Sequence, residues 1–412
     1  MTSRRWSGAL LAAGIAIALL SACGDDGGGS GGGGDGATDD PGADLTGEPV
    51  KLFVTGAFDA FGADYSQVPA AAQAAADAVN ADGGINGGPV EIIECNQASE
   101  NEAAACGRQA VDEDVVATVG TFSSFAANIL PILQEAGIPQ VAPYLVGFDD
   151  YTSPINYPVM GGTLSAVAGM GAQLADGGAE TINVSYLDIG PGALAAGLAD
   201  VGAEPRDAEV ISQTPVPEGT VDFSPQVAEA TDGDPDGVAM LLTTRDAPGF
   251  IRSLDQVGYE GSVAASTSSF TPAQLEELGD LVEGLNVPNS FLPATYTENE
   301  AVQQFNDEID TYAGDIAKDD AAQNAWLGVH LIDRLMEGAP EVTSLAITDA
   351  LESTDPIDLG LLPPISFQKG VTIDALAPGV ELRVFNPTVV YTTVEDGEIV
   401  AVDGEFVNPL EA

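Results

Sequence analysis

The sequence predicts an α/β fold with parallel sheets in two domains, on three observations. Short apolar strands alternate with helical runs, the alternation restarts past residue 157, and residues 50–412 are too many for one ordinary core. The first series reads as a strand over 51–55, an Ala-rich helix over 69–80 and a Gly- and Asn-rich turn over 81–89. A strand over 90–94, a helix over 101–111, a strand over 115–120, a helix over 126–136 and a strand over 139–142 follow. The second series has a helix over 164–174, a strand over 182–187, a helix over 193–201 and a strand over 209–212. It continues with a helix over 224–230, a strand over 237–242, a helix over 248–257 and a strand over 262–265. A helix opens at Thr271, where Pro272 in the first turn and Gln274 three residues on make a capping box. Helices over 300–313 and 321–337 precede a β-rich tail that includes 388–394. Strands joined by helices require a parallel sheet covered on both faces.

The N-terminus is organised for export. Arg4 and Arg5 precede an apolar run over 9–20 that ends in Ser21, Ala22 and Cys23, the order of a charged region, a hydrophobic region and a small-residue cleavage site. The run is shorter than the roughly 18–20 residues that cross a bilayer. Leu20-Ser21-Ala22-Cys23 resembles the bacterial lipobox, which implies a signal peptide over 1–22 and lipidation of Cys23. Acyl chains there would hold the protein on the outer face of the membrane without spanning it. The Arg pair leaves both general and twin-arginine export open. Residues 24–49 are mostly Gly and Asp, too poor in apolar groups to offset the entropy of ordering, so 23–49 is expected to be a lipidated tether. Its reach as a Gly-rich coil is about 30 Å.

Acids outnumber bases 64 to 11, a net charge of −53, so nucleic acid and anionic lipid surfaces are excluded as partners by long-range repulsion. Besides Cys23 the cysteines are Cys95 and Cys106, an even pair in an exported chain, and a disulfide between them is expected. The one histidine, His330, falls in a helical pattern, and no Cys/His cluster with ligand spacing exists, so neither a metal nor another cofactor is expected. No serine stands in a Gly-x-Ser-x-Gly elbow and no imidazole neighbours a nucleophile, so the chain is not expected to be an enzyme.

Four strings in order resemble the type I periplasmic binding proteins of the leucine/isoleucine/valine class. They are Asp77 to Gly88 (DAVNADGGINGG), Thr118 to Ser124 (TVGTFSS), Glu135 to Pro139 (EAGIP) and Val221 to Val227 (VDFSPQV). The likeness covers nearly all of 50–402. It implies two Rossmann-like lobes joined by a three-segment hinge, one over 50–158 and 292–386 and the other over 159–291 and 387–412. It further implies a monomer that captures a small polar solute (amino acid-like, an amide or a carboxylate) between the lobes and delivers it to an ABC permease. An extracytoplasmic sensor with the same fold is the alternative. Ligands of such lobes sit beyond the carboxyl ends of the strands.

Ser123 and Ser124 leave the third strand and open a helix, where hydroxyls and free N–H groups suit a carboxylate; Ser124 falls on the family's carboxylate-contacting serine, and it could equally cap its own helix. In the loop holding Tyr144, Leu145 and Val146, Val146 takes the place of a family Thr, so one hydroxyl contact to an amino-acid head is lost. Phe58, Asp59 and Tyr65 lie where the family lines the mouth, although Phe58 also reads as core. Thr244 and Arg245 end one strand of the second lobe and Thr267 and Ser268 another. The family aromatic near Thr244 and the acid near Thr267 are absent, and Pro191 stands where a family Tyr would. Losing the counter-charge of an ammonium argues against an ordinary α-amino acid. Arg245 offers a fork to an anion or, beside Asp246, a surface pair.

Overall fold

Leu52, Val54 and Phe53 are fully buried on a strand whose successive side chains point to opposite faces, so this strand must be covered on both sides. Leu52 and Val54 join one apolar cluster, and Phe53 joins another with Cys106, Ile129 and Leu133. A computed structural model describes residues 45–59, 64–189, 192–353, 355–374 and 376–411. The expected signal peptide, Cys23 and all but the end of the tether lie outside the described residues, as does Pro191.

The first series comprises β1 (Val50–Gly56), α1 (Gln67–Ala81), β2 (Val90–Asn96), α2 (Glu100–Asp112), β3 (Ala117–Val119), α3 (Ala126–Ala136), β4 (Gln140–Val141), α4 (Phe148–Thr152) and β5 (Asn156–Tyr157). Its strands form one parallel sheet in the order β2-β1-β3-β4-β5. The second series comprises α5 (Gly162–Asp176), β6 (Thr181–Leu187), α6 (Gly192–Ala196), α7 (Leu198–Ala203), β7 (Glu209–Val216), α8 (Ser224–Ala230), β8 (Gly237–Leu241), α9 (Ala247–Val257), β9 (Ser262–Ala265) and α10 (Pro272–Leu278). Its sheet is also parallel, in the order β7-β6-β8-β9. The molecule is thus an α/β protein of two lobes. The chain then returns to the first lobe through α11 (Glu300–Tyr312), α12 (Asp320–Met336) and α13 (Ser344–Ser353). The Ala-rich α1 packs on α12, and Phe305 and Trp326 stack edge to face above it.

One difference from the sequence reading has a simple cause. The helix expected over 193–201 is broken into α6 and α7 at Gly197, a weak helix former. The capping box at Thr271 is formed as expected, with Gln274 returning a bond to the Thr271 N–H. The tail holds the pair β10 (Val371–Thr372) and β11 (Glu381–Leu382), then the hairpin β12 (Val389–Glu395) and β13 (Glu398–Val407). Asp396 and Gly397, at φ 52° and 83°, make its tight turn. Bridges Asn286 to Thr393 and Asn289 to Val390 lay this hairpin against the segment that returns from the second lobe to the first.

Cys95 of β2 and Cys106 of α2 form a disulfide with their Cα atoms 5.7 Å apart. In the second lobe α5 and α7 touch backbone to backbone: a Cβ added at Gly202 would stand 1.8 Å from the Ala168 carbonyl oxygen, and one at Gly171 2.1 Å from that of Ala199. Gly202→Ala must push the helices apart and should cost about 1–3 kcal/mol in denaturant unfolding. Gly219→Ala, with φ 78° and nothing within 4 Å of the added Cβ, should cost only about 1 kcal/mol of backbone strain. Reduction of the Cys95–Cys106 bond, which closes a loop of 11 residues, should lower stability by about 2–3 kcal/mol, and peptides from the unreduced protein should carry the link in mass spectrometry.

Candidate ligand-binding cleft

The strands of both sheets point their carboxyl ends at one gap between the lobes, where a cavity of about 180 Å³ lies. Tyr65, Phe122, Ser124, Tyr144 and Val146 line it from the first lobe. Thr163, Val167 and Met170 of α5, Tyr186 and Leu187 of β6, Leu241 through Thr243, and Ser266 and Ser268 line it from the second.

The lining residues alternate along the chain. Phe122 and Ser124 face the cavity, while Ser123 between them is buried and donates its hydroxyl to Gln97 Oε1 at 2.9 Å. Tyr144 and Val146 face it, while Leu145 is fully buried. Ser266 and Ser268 face it, while Thr267 is buried and donates to Asp320. The first two segments continue parallel strands through bridges from Gly56 to Phe122 and from Phe122 to Tyr144, so the strand's period of two persists into the loops. In these three segments, neighbouring residues singled out from the sequence therefore divide into cavity residues and supports.

Ser124 does not cap α3; that helix begins after Phe125, whose N–H is held by the Ser123 hydroxyl at 2.9 Å. No described residue hydrogen-bonds to the Ser124 hydroxyl, which is exposed at the cavity wall. Phe122 packs edge to face between Tyr65 and Tyr144, with centroids 4.5 and 4.6 Å away. Phe58 is buried in the core of the first lobe, and Asp59 accepts from Asn96 at a separate surface depression. Thr244 turns away and offers its carbonyl to Gln274. Arg245 is closed onto Asp246 by two bonds of 2.9 and 2.8 Å, the surface-pair alternative. His330 packs on Trp326 and shares Glu308 with it, both nitrogens 2.7 Å from that carboxylate.

The sequence reading missed Phe122, the cavity face of α5, and Tyr186. A signal existed for α5, because GTLSAVAGMGAQLAD carries no charge before its last residue and so has no face fit for water.

Among the described residues no charged side chain lines the cavity. Burial pushes the Tyr65 phenol up to about 12, with hydrogen bonding to Ser268 pulling the other way, and pushes Tyr144 well above the ordinary phenol range. Both are neutral donors at physiological pH. Asp319 and Asp320 open α12 behind this wall; burial lifts both above the usual carboxylate range, and the charge of Asp319 raises Asp320 further. Asp320 accepts from Thr267 of the second lobe and Asp319 from Gln67 at 2.7 Å, so one acid ties the lobes together. Asp150 supports the Tyr144–Gly147 loop by accepting the N–H groups of Val146 and Gly147 at 3.1 and 2.9 Å. Burial raises it to about 7 despite those bonds. Among the described residues no helix is long and apolar enough to cross a membrane, and no group of three or more His, Cys, Asp or Glu could hold a metal ion.

Residues 52–375 match the profile of the family described as periplasmic binding protein. The chain belongs to that family. The substrate-binding protein of the branched-chain amino acid transporter of Streptococcus pneumoniae, solved with isoleucine, is 17% identical with a TM-score of 0.68, covering 86% of this chain and 98% of its own. A solute-binding protein from R. palustris, solved with 4-hydroxybenzoate, is 18% identical with a TM-score of 0.69 over 87% and 97%. The fatty acid ABC transporter substrate-binding protein of Thermomonospora curvata is 16% identical with a TM-score of 0.72 over 87% and 92%. No curated protein matches. Periplasmic binding proteins bind solutes outside the cytoplasm and are not enzymes, and this binding protein has their two-lobed parallel-sheet fold.

A folded-state carboxyl raised above its unfolded value favours folding below about pH 4 and loses that contribution as pH climbs through its folded pKa. Asp150, raised to about 7, places the loss between about pH 4 and 7. Melting temperature should fall between about pH 4 and 7. Asp150→Asn keeps an acceptor for the two N–H groups and should flatten that fall by an amount equivalent to about 1–3 kcal/mol.

Proposed function

We propose that this periplasmic binding protein is the substrate-binding lipoprotein of an ABC importer. Anchored through Cys23 and working as a monomer, it closes its lobes on one small molecule bearing a carboxylate or amide and presents it to a permease. The observation that carries this reading is the cavity between the strand ends of two lobes, lined by serine hydroxyls, that of Ser124 without a partner among the described residues, and by aromatic rings, and bounded by a hydrogen bond from one lobe to the other. Ser124 donates to the solute, and Ser266, Ser268 and Thr243 supply further hydroxyls from the opposite lobe. The three-ring wall of Tyr65, Phe122 and Tyr144 gives the solute's apolar part a surface to displace water from.

The structural neighbours named above concern isoleucine, 4-hydroxybenzoate and fatty acid, so the shared fold does not select the solute. The lining does restrict it. An α-amino acid brings an ammonium that needs a carboxylate, and among the described residues no acid lines the cavity. Among the expected solutes, the amide and carboxylate end of the range is favoured over the amino-acid end.

A thermal-shift screen of small carboxylates, amides and amino acids should find a solute that stabilises the protein by about 2.7 kcal/mol when present at 100 times its Kd. Calorimetry should give one site per chain, and Ser124→Ala should weaken binding about three- to tenfold. A broad screen without a stabilising solute would sink the reading.

A further inference from the structure

The cleft cavity has an apolar back door. Val146 and Ala195, which line it, also line a second cavity of about 90 Å³ between the Gly147 loop, α5, α6 and the tail. Leu164, Leu198, Leu376 and Leu382 wall that second space. Its one polar side chain is Tyr151, whose hydroxyl donates to the Leu145 and Gly161 carbonyls and accepts from the Leu164 N–H, so it has nothing left for a ligand. Phe148 and Leu194 stand at its rim, 47% and 58% exposed. The first cavity thus offers the hydroxyls of Ser124, Ser266 and Ser268, whereas the second, among the described residues, is walled by hydrocarbon and one fully engaged tyrosine.

On the reading that this cleft captures the solute, we propose that the ligand is an elongated amphiphile: a carboxyl or carboxamide head at the hydroxyl end and an unbranched hydrocarbon tail that passes between Val146 and Ala195 into the second cavity. A compact polar solute would leave the leucine-walled space unfilled and the rim side chains in water. A tail of sufficient length fills the first and covers the second. Each methylene moved out of water adds roughly a fourfold gain in affinity, so the geometry converts directly into a dependence on chain length.

The test is calorimetry of the lipidated protein in detergent with straight-chain carboxylic acids of about four to twelve carbons, the matching primary amides, and leucine. Affinity is expected to climb about fourfold per methylene and then level off once the second cavity is full; the acid and amide arms identify the head. Ala195→Phe, which plugs the junction, should bring the levelling to a shorter chain. Phe148→Glu, a change at an exposed position, should weaken only the longest chains, and it keeps the test informative if the plugged variant does not fold. If leucine or short amides bind one to one but affinity is flat with chain length, solute capture stands and the tail path is overturned. If leucine binds more tightly than every acid and amide, the ligand class is overturned. If nothing binds, solute capture itself falls, and the tail path with it.

Discussion

Both sheets are parallel, and a parallel sheet delivers all its strand ends to one edge. Here the two edges face each other, so every loop leaving β1, β3 and β4 meets a loop leaving β6, β8 or β9 across the same gap. The backbone stays extended for a few residues past β3 and β4, and its alternation decides which side chains face the gap. On the gap side Ser124 has no hydrogen-bond partner among the described residues and Ser266 and Ser268 bond to each other across the wall; residues on the other side brace the loops, as Ser123 does with Gln97 and Thr267 with Asp320. Recognition and support are interleaved along the same few residues.

The charge balance of the chain and the lining of its cleft are separate matters. A net charge of −53 keeps the surface solvated, yet among the described residues the cavity wall carries hydroxyls, rings and aliphatic groups without any ionised side chain. Asp150, Asp319 and Asp320 stand behind the wall and are engaged with loop N–H groups, Gln67 and Thr267. They shape the cleft through backbone and side-chain hydrogen bonds rather than by offering charge to a ligand.

Much of the architecture was legible because it rests on local chemistry. Helices over 126–136 and 224–230 and the strand over 262–265 are found at the expected residues, each bounded by turn or capping residues that punctuate the chain. The Cys95–Cys106 link follows from an even pair in an exported chain. The site was legible only by loop, because which residue of a loop faces inward depends on how far the extended backbone runs beyond the strand. Ser123 and Ser124 are indistinguishable by type; only the bridges at Gly56 and Tyr144 separate them. Arg245 offers a fork on paper, and it is the adjacent Asp246 that closes it. The cavity face of α5 went unread because an uncharged helix is equally consistent with an ordinary core.

The pairing between residues 286–289 and 390–393 has a mechanical consequence. Two strands of the connection between the lobes are hydrogen-bonded to each other through Val287, Asn289, Val390 and Thr392, so they behave as a two-ply strap and not as independent tethers. Such a strap flexes readily across its thin direction and resists shear and torsion, since either would have to break those bonds. Any opening of the lobes would therefore be directed to a swing about a single line, as covers move about a spine. Such a swing would bare the whole length of the cleft at once and bring Ser124 back to Ser266 and Ser268 on the next closure.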